Sequence, residues 1–132
     1  MKVVFHERLR YFLYRQHCDM RKGYDGLSGL VRSEFKLDPL QGDVFVFFCR
    51  HLKKVKILHW QGDGFAIYSK RLEKGTFEQI KNQSTSLSVE ITAQQLHYIL
   101  DGVMLSSVKK RIRYEHENVN KNSVLIRHSG AL

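Results

Sequence analysis

Between residues 42 and 73 the chain carries three short apolar runs, at 44–49, 55–60 and 65–72, separated by two brief polar breaks. No other stretch restricts the fold as strongly. Connections this short join only antiparallel strands, because a parallel crossover needs a dozen or more residues. The second break, Gln61-Gly62-Asp63-Gly64, supplies glycines where a hairpin needs positive φ. The first, Arg50-His51-Leu52-Lys53, turns without one. The runs form an antiparallel meander, and the remaining chain must extend it or cover it.

The elements around the meander follow from pattern. Tyr11 and Leu13 alternate with Phe12 and Tyr14, aromatic on both sides, which predicts a strand buried on both faces and added to the sheet. Asp19 is a good N-cap for a helix running to about Phe35, with Met20, Tyr24, Leu27, Val31 and Phe35 on its apolar face. Gly23, Gly26 and Gly29 form a neighbouring stripe, expected where a helix approaches a sheet closely. Residues 36–42 read as a loop broken by Asp38-Pro39 and Gly42. Residues 73–86 form a polar loop, most flexible at 82–86 and anchored by Phe77 and Ile80. Leu87, Val89 and Ile91 alternate with polar residues as a short edge strand.

The second helix is signalled best. Thr92 and Gln95 have the spacing of a capping box, and Ile91 and Leu96 that of a hydrophobic staple. Leu96, Ile99, Leu100 and Val103 share its apolar face, and Gly102 ends it. The expected fold is α+β: a single domain with an antiparallel meander of about 4–5 strands packed against two main helices. The domain spans residues 1–104, and residues 105–132 form a basic, flexible tail.

At 132 residues with 42% hydrophobic content, one domain with a real core is expected. No apolar run is long enough to span a membrane, and the N-terminus lacks the pattern of a signal peptide. Two cysteines make no disulfide scaffold. The reading is a soluble, cytoplasmic protein. Its net charge of +9 favours a polyanionic partner, nucleic acid first.

Register concentrates that charge. With residues 61–64 as the turn, Trp60 faces Phe65, Leu58 faces Ile67, Lys56 faces Ser69 and Lys54 faces Arg71. On the opposite sheet face Ile57 meets Tyr68 and Val55 meets Lys70. Candidate phosphate contacts are therefore Lys54, Lys56, Lys70 and Arg71, with Arg50 in the adjoining turn. Trp60, His59 and Tyr68 are available for stacking. Arg21 and Lys22 add a second anchor, in the expected first turn of a helix, where backbone N–H groups also favour phosphate.

Other chemistry fits less well. His17-Cys18 and Cys49-x-His51 each pair a His with a Cys, but neither has the usual spacing of a zinc site. Cys18 and His17 are adjacent in the chain, so they do not point at each other as a nucleophile and base. Of the acidic candidates Asp19, Asp25, Asp43 and Asp63, Asp19 is better explained as a cap, Asp63 as a turn residue and Asp43 as a strand-edge residue than by metal-dependent nuclease chemistry. No G-x-S-x-G, P-loop or HExxH occurs. No enzyme, cofactor or metal is expected.

Several blocks resemble one family. They are Asp19-Met20-Arg21-Lys22-Gly23-Tyr24-Asp25-Gly26-Leu27, Asp38-Pro39-Leu40-Gln41-Gly42-Asp43-Val44-Phe45-Val46-Phe47, Val55-Lys56-Ile57-Leu58-His59-Trp60, Asp63-Gly64-Phe65-Ala66-Ile67-Tyr68, Lys70-Arg71-Leu72-Glu73-Lys74-Gly75-Thr76-Phe77 and Ile91-Thr92-Ala93-Gln94-Gln95-Leu96. In this order, over about residues 11–102, they resemble the accessory TnpB (second open reading frame) proteins of bacterial IS66-type insertion sequences. The resemblance implies a small non-catalytic protein encoded beside a separate DDE-type transposase and a second small accessory protein. It implies assistance in transposition, and with the basic residues above the expected role is binding DNA or helping assemble the transposase–DNA complex. A pure protein–protein adaptor for the transposase is the alternative. The family has no catalytic residues to carry over.

Overall fold

The computed structural model describes residues 5–80 and 86–103. Five strands form one sheet: β1 (Tyr11–His17), β2 (Val44–Phe48), β3 (Lys54–Trp60), β4 (Phe65–Arg71) and β5 (Ser88–Ile91), in the order β4-β3-β2-β1-β5. Helix α1 (Tyr24–Leu30) connects β1 to β2, and α2 (Ala93–Asp101) follows β5. The fold is α+β and mostly antiparallel, as the pattern implies. Residues 1–4, 81–85 and 104–132 lie outside the described residues, and with them the expected flexible tail at 105–132 and most of the expected flexible stretch at 82–86.

The meander has the expected register. Trp60 pairs with Phe65, Leu58 with Ile67, Lys56 with Ser69 and Lys54 with Arg71. Gly62 takes positive φ in the second turn, and in the first turn, which has no glycine, Leu52 takes it instead (φ 58). Left-handed geometry disfavours a residue with a Cβ by about 1–2 kcal/mol. Three hydrogen bonds hold Leu52 there: its N–H donates to Cys49 O, its carbonyl accepts from the Phe77 N–H, and Lys53 O accepts from Leu72.

Sheet order brings one difference. β1 extends the sheet, but it lies parallel to β2, with Tyr11 opposite Val44 and Leu13 opposite Val46. A parallel pair needs a long crossover, and the segment containing α1 is that crossover. β1 is then central, with β5 antiparallel on its other side. Its position explains why Tyr11, Leu13 and Tyr14 are all buried.

The two helices cover opposite faces. On one, Leu27, Val31 and Phe35 pack on Phe45, Phe47, Leu58 and Tyr14. On the other, Leu96, Ile99 and Leu100 pack on Val44, Val46, Phe48 and Ile57, with Phe77 beside them. All five residues of β2 are buried, the pattern of a strand covered on both faces. Arg10 and Asp43 brace the start of the parallel pair with two hydrogen bonds, of 3.0 and 2.8 Å.

α2 has its expected signals. Thr92 Oγ1 accepts from the Gln95 N–H at 3.0 Å, and Gln95 Oε1 accepts from the Thr92 N–H at 2.9 Å. Gly102 closes it in a left-handed conformation.

α1 departs from expectation at its start. It begins at Tyr24 after Gly23, which has no capping side chain, and not at Asp19. The Asp19 carboxylate instead accepts from the Arg21 backbone N–H and its guanidinium, closing a local turn that competes with helix initiation. Arg21 and Lys22 therefore precede the helix. After Leu30 the helix widens into a π-helical turn (Val31–Phe35) and stops at Lys36 in a left-handed conformation. The glycine stripe does not mark close approach to the sheet. A Cβ at Gly23 or Gly29 would meet nothing within 4 Å, and one at Gly26 would meet the Lys22 side chain.

Candidate nucleic-acid interface

Strand direction decides where the cations gather. The end of β1, the end of β2, the start of β3 and the end of β4 lie at one rim of the sheet, and the 18–23 loop and the 49–53 turn leave from it. On the face that α1 covers, the apolar pairs Trp60–Phe65 and Leu58–Ile67 give way toward this rim to Lys56–Ser69 and Lys54–Arg71. Lys54, Ser69 and Arg71 are exposed, and Lys56 is half-buried.

Lys56 ties the strand to the loop before α1. Its Nζ donates a 2.9 Å hydrogen bond to the carbonyl of Lys22. Lys22 is thereby brought to the same rim as Lys54, and its side chain lies against Gly26. Arg50, Lys53 and Lys54, in and beside the 49–53 turn, are exposed.

The remaining cations have intramolecular roles. Arg21 is exposed, but its guanidinium pairs with Asp19 at 2.8 Å. Those bonds, from side chain and backbone, hold the Asp19 carboxyl well below the usual carboxylate range. Arg71 pairs with Glu73 at 3.1 Å. Lys70 points to the opposite face and donates to Leu100 O at 2.9 Å, where a cation suits the carbonyl-rich end of α2. Lys54, Lys56, Arg71, Lys22 and Arg50 thus share one rim with Arg21, while Lys70, at the same end of β4, turns to the opposite sheet face.

The expected stacking residues stand elsewhere. Trp60 lies at the hairpin end against Phe65, ring centroids 4.9 Å apart. His59 and Tyr68 line a cavity of about 750 Å³ on the α2 face with Phe5, His6 and Trp60. Burial pushes the His59 imidazole below its ordinary value, against a hydrogen bond with the Gly42 backbone. Tyr24, assigned from sequence to the apolar stripe of α1, opens that helix two residues after Lys22 and is exposed.

Acidic residues are divided between the two ends: Asp19 and Asp25 near the rim, Asp43 and Asp63 near the hairpin. No group of three or more His, Cys, Asp and Glu that could hold a metal occurs among the described residues. Cys18 is buried and burial raises its thiol. Burial also pushes the Cys49 thiol up, but the N–H groups of Lys53, Lys54, His51 and Leu52 outweigh it, and the thiol sits below its ordinary value. No helix among the described residues is long and apolar enough to cross a membrane.

Comparison with known proteins adds the family context. Residues 9–110 match the family described as IS66 Orf2 like protein. The uncharacterized protein y4hO of Sinorhizobium fredii (strain NBRC 101917 / NGR234) is 32% identical over 97 residues, covering 74% of this chain and 83% of the relative. The uncharacterized protein y4jC of the same strain is 30% identical over 105 residues, covering 78% of this chain and 86% of the relative. No solved structure matches the chain.

Proposed function

The chain belongs to the IS66 Orf2-like (TnpB) family of insertion-sequence accessory proteins, and from that premise we propose that it is a non-catalytic factor that holds DNA at the basic rim of its sheet during transposition. Lys54, Lys56, Lys22 and Arg50 supply phosphate contacts, and bound DNA is offered to the transposase and the second small accessory protein. The observation that carries this reading is the shared sheet face of Lys54 and Lys56, joined to the 18–23 loop by the Lys56–Lys22 hydrogen bond.

Charge explains why such a rim attracts a polyanion. Asp19 and Glu73 are hydrogen-bonded to Arg21 and Arg71, and of the rim lysines Lys22 also feels the Asp19 charge. Exposed lysines release counterions from DNA phosphates on binding, a contribution with little dependence on sequence. With about three or four phosphates neutralised, the logarithm of affinity should fall with the logarithm of salt concentration with a slope of roughly −3.

The test measures affinity for element-end and random duplexes at two salt concentrations. Salt-sensitive binding with weak sequence preference is expected, and no binding at low salt contradicts the reading. One observation favours the adaptor alternative: Arg21, Arg71 and Lys70 spend their charge on intramolecular partners. Nuclease-resistant co-purification with transposase, unchanged by charge reversal at Lys54 and Lys56, would identify that role instead.

A further inference from the structure

Tyr24 is out of place for a core residue. It opens α1, and residues three, four and seven positions on, Leu27, Ser28 and Val31, are buried against the sheet. By helical periodicity Tyr24 continues that sheet-facing stripe one turn toward the rim. Toward the rim the sheet residues on this face change from Leu58 and Ile67 to Lys56 and Ser69, and the Lys56 bond to the Lys22 carbonyl sets the start of α1 at that end. It is 52% exposed. Among the described residues the large apolar side chains that stand exposed are Tyr24 and Leu40, and of these Tyr24 is the aromatic.

We infer that Tyr24 is a base-stacking platform and that the rim takes single-stranded nucleic acid, or an unpaired nucleotide at a duplex end, in preference to continuous duplex. This rests on the reading of the rim as a phosphate-binding surface. Lys22 and Lys56 are hydrogen-bonded together directly beside the start of α1, so cations and ring can meet one nucleotide. A phosphate on the lysines leaves the attached base free to lie on the ring. Within a duplex the base faces are already stacked on one another, so the ring gains a partner only where a base is unpaired. Stacking of this kind tolerates any base, which suits weak sequence selectivity.

The experiment measures binding of fluorescein-labelled oligothymidine and of a duplex of the same length to the full chain. Tyr24→Ala, Tyr24→Phe and Leu40→Ala are compared with wild type, and melting curves check that each is folded. The inference expects tighter binding of the single strand. Tyr24→Ala should weaken it about five-fold or more with duplex binding little changed. Tyr24→Phe and Leu40→Ala, the latter at the opposite end of the sheet, should retain wild-type affinity. Equal loss on both substrates, or no loss with Tyr24→Ala, overturns the platform while leaving phosphate binding intact. Failure of wild type to bind either substrate overturns both readings.

Discussion

Lys56 Nζ and the carbonyl oxygen of Lys22, residues on a central strand and on the loop before α1, are 2.9 Å apart. A lysine whose strand neighbours Val55 and Ile57 are fully buried ends its side chain on a loop carbonyl at the sheet rim. The bond fixes the 18–23 loop relative to β3, and with it the two residues, Lys22 and Tyr24, that complete the basic rim.

Lys56→Met keeps most of the side-chain volume and removes the donor. The loop should loosen, with faster amide hydrogen exchange confined to residues near 19–23. DNA affinity should fall with it, and the salt slope should shrink by about one, the contribution of one phosphate. Unchanged exchange in the loop would show that the bond does not restrain it.

Asp19 should titrate anomalously. Hydrogen bonds from Arg21 favour its ionised form, so its folded pKa lies below the ordinary carboxylate value of about 3.9. A depressed carboxylate stabilises the fold at pH values above the unfolded pKa, and the contribution is lost as pH falls through the folded one. NMR titration should therefore show Asp19 still ionised below the ordinary carboxylate range. Arg21→Ala should move the Asp19 pKa up toward the ordinary range, while the backbone N–H of residue 21 still favours the ionised form. Because the pair is exposed, neutral-pH stability should change little.

Thr92→Ala removes the acceptor for the Gln95 N–H and breaks one half of the capping box. Loss of about 1 kcal/mol is expected from chemical denaturation. Gln95→Ala, which leaves the Thr92 acceptor in place, should cost less. An unchanged midpoint for Thr92→Ala would mean that burial of Leu96 and Ile99 alone defines where α2 begins.

Short-range chemistry was readable and long-range pairing was not. The β3–β4 register follows from the length of one turn, and the start of α2 follows from two residues three apart; both are local rules. The parallel alignment of β1 with β2 depends on contacts between residues 33 apart, such as Arg10 and Asp43, which no window of sequence displays. At α1 two local rules competed. Asp19 has the chemistry of a helix cap, but the neighbouring Arg21 offers its carboxylate both a backbone and a guanidinium donor, and the turn wins. Tyr24 was misread for a related reason. Periodicity correctly assigns it to the inward stripe, yet exposure depends on what the strands offer, and toward the rim they change from Leu58 and Ile67 to Lys56 and Ser69. Register already turns Lys70 to the opposite sheet face, but its hydrogen bond to Leu100 O depends on where α2 ends, which no local pattern displays.

The proposed function requires that the exposed cations at the rim contact DNA. Arg50 and Lys54 are both exposed, so Arg50→Glu/Lys54→Glu reverses charge there without removing a buried contact. The direct measurement is duplex and single-strand affinity of this double variant and wild type across a salt series, with melting curves confirming the fold. Affinity at least about ten-fold weaker at low salt is expected, with a salt slope smaller by about two. Wild-type affinity and slope in the double variant would contradict the proposed function.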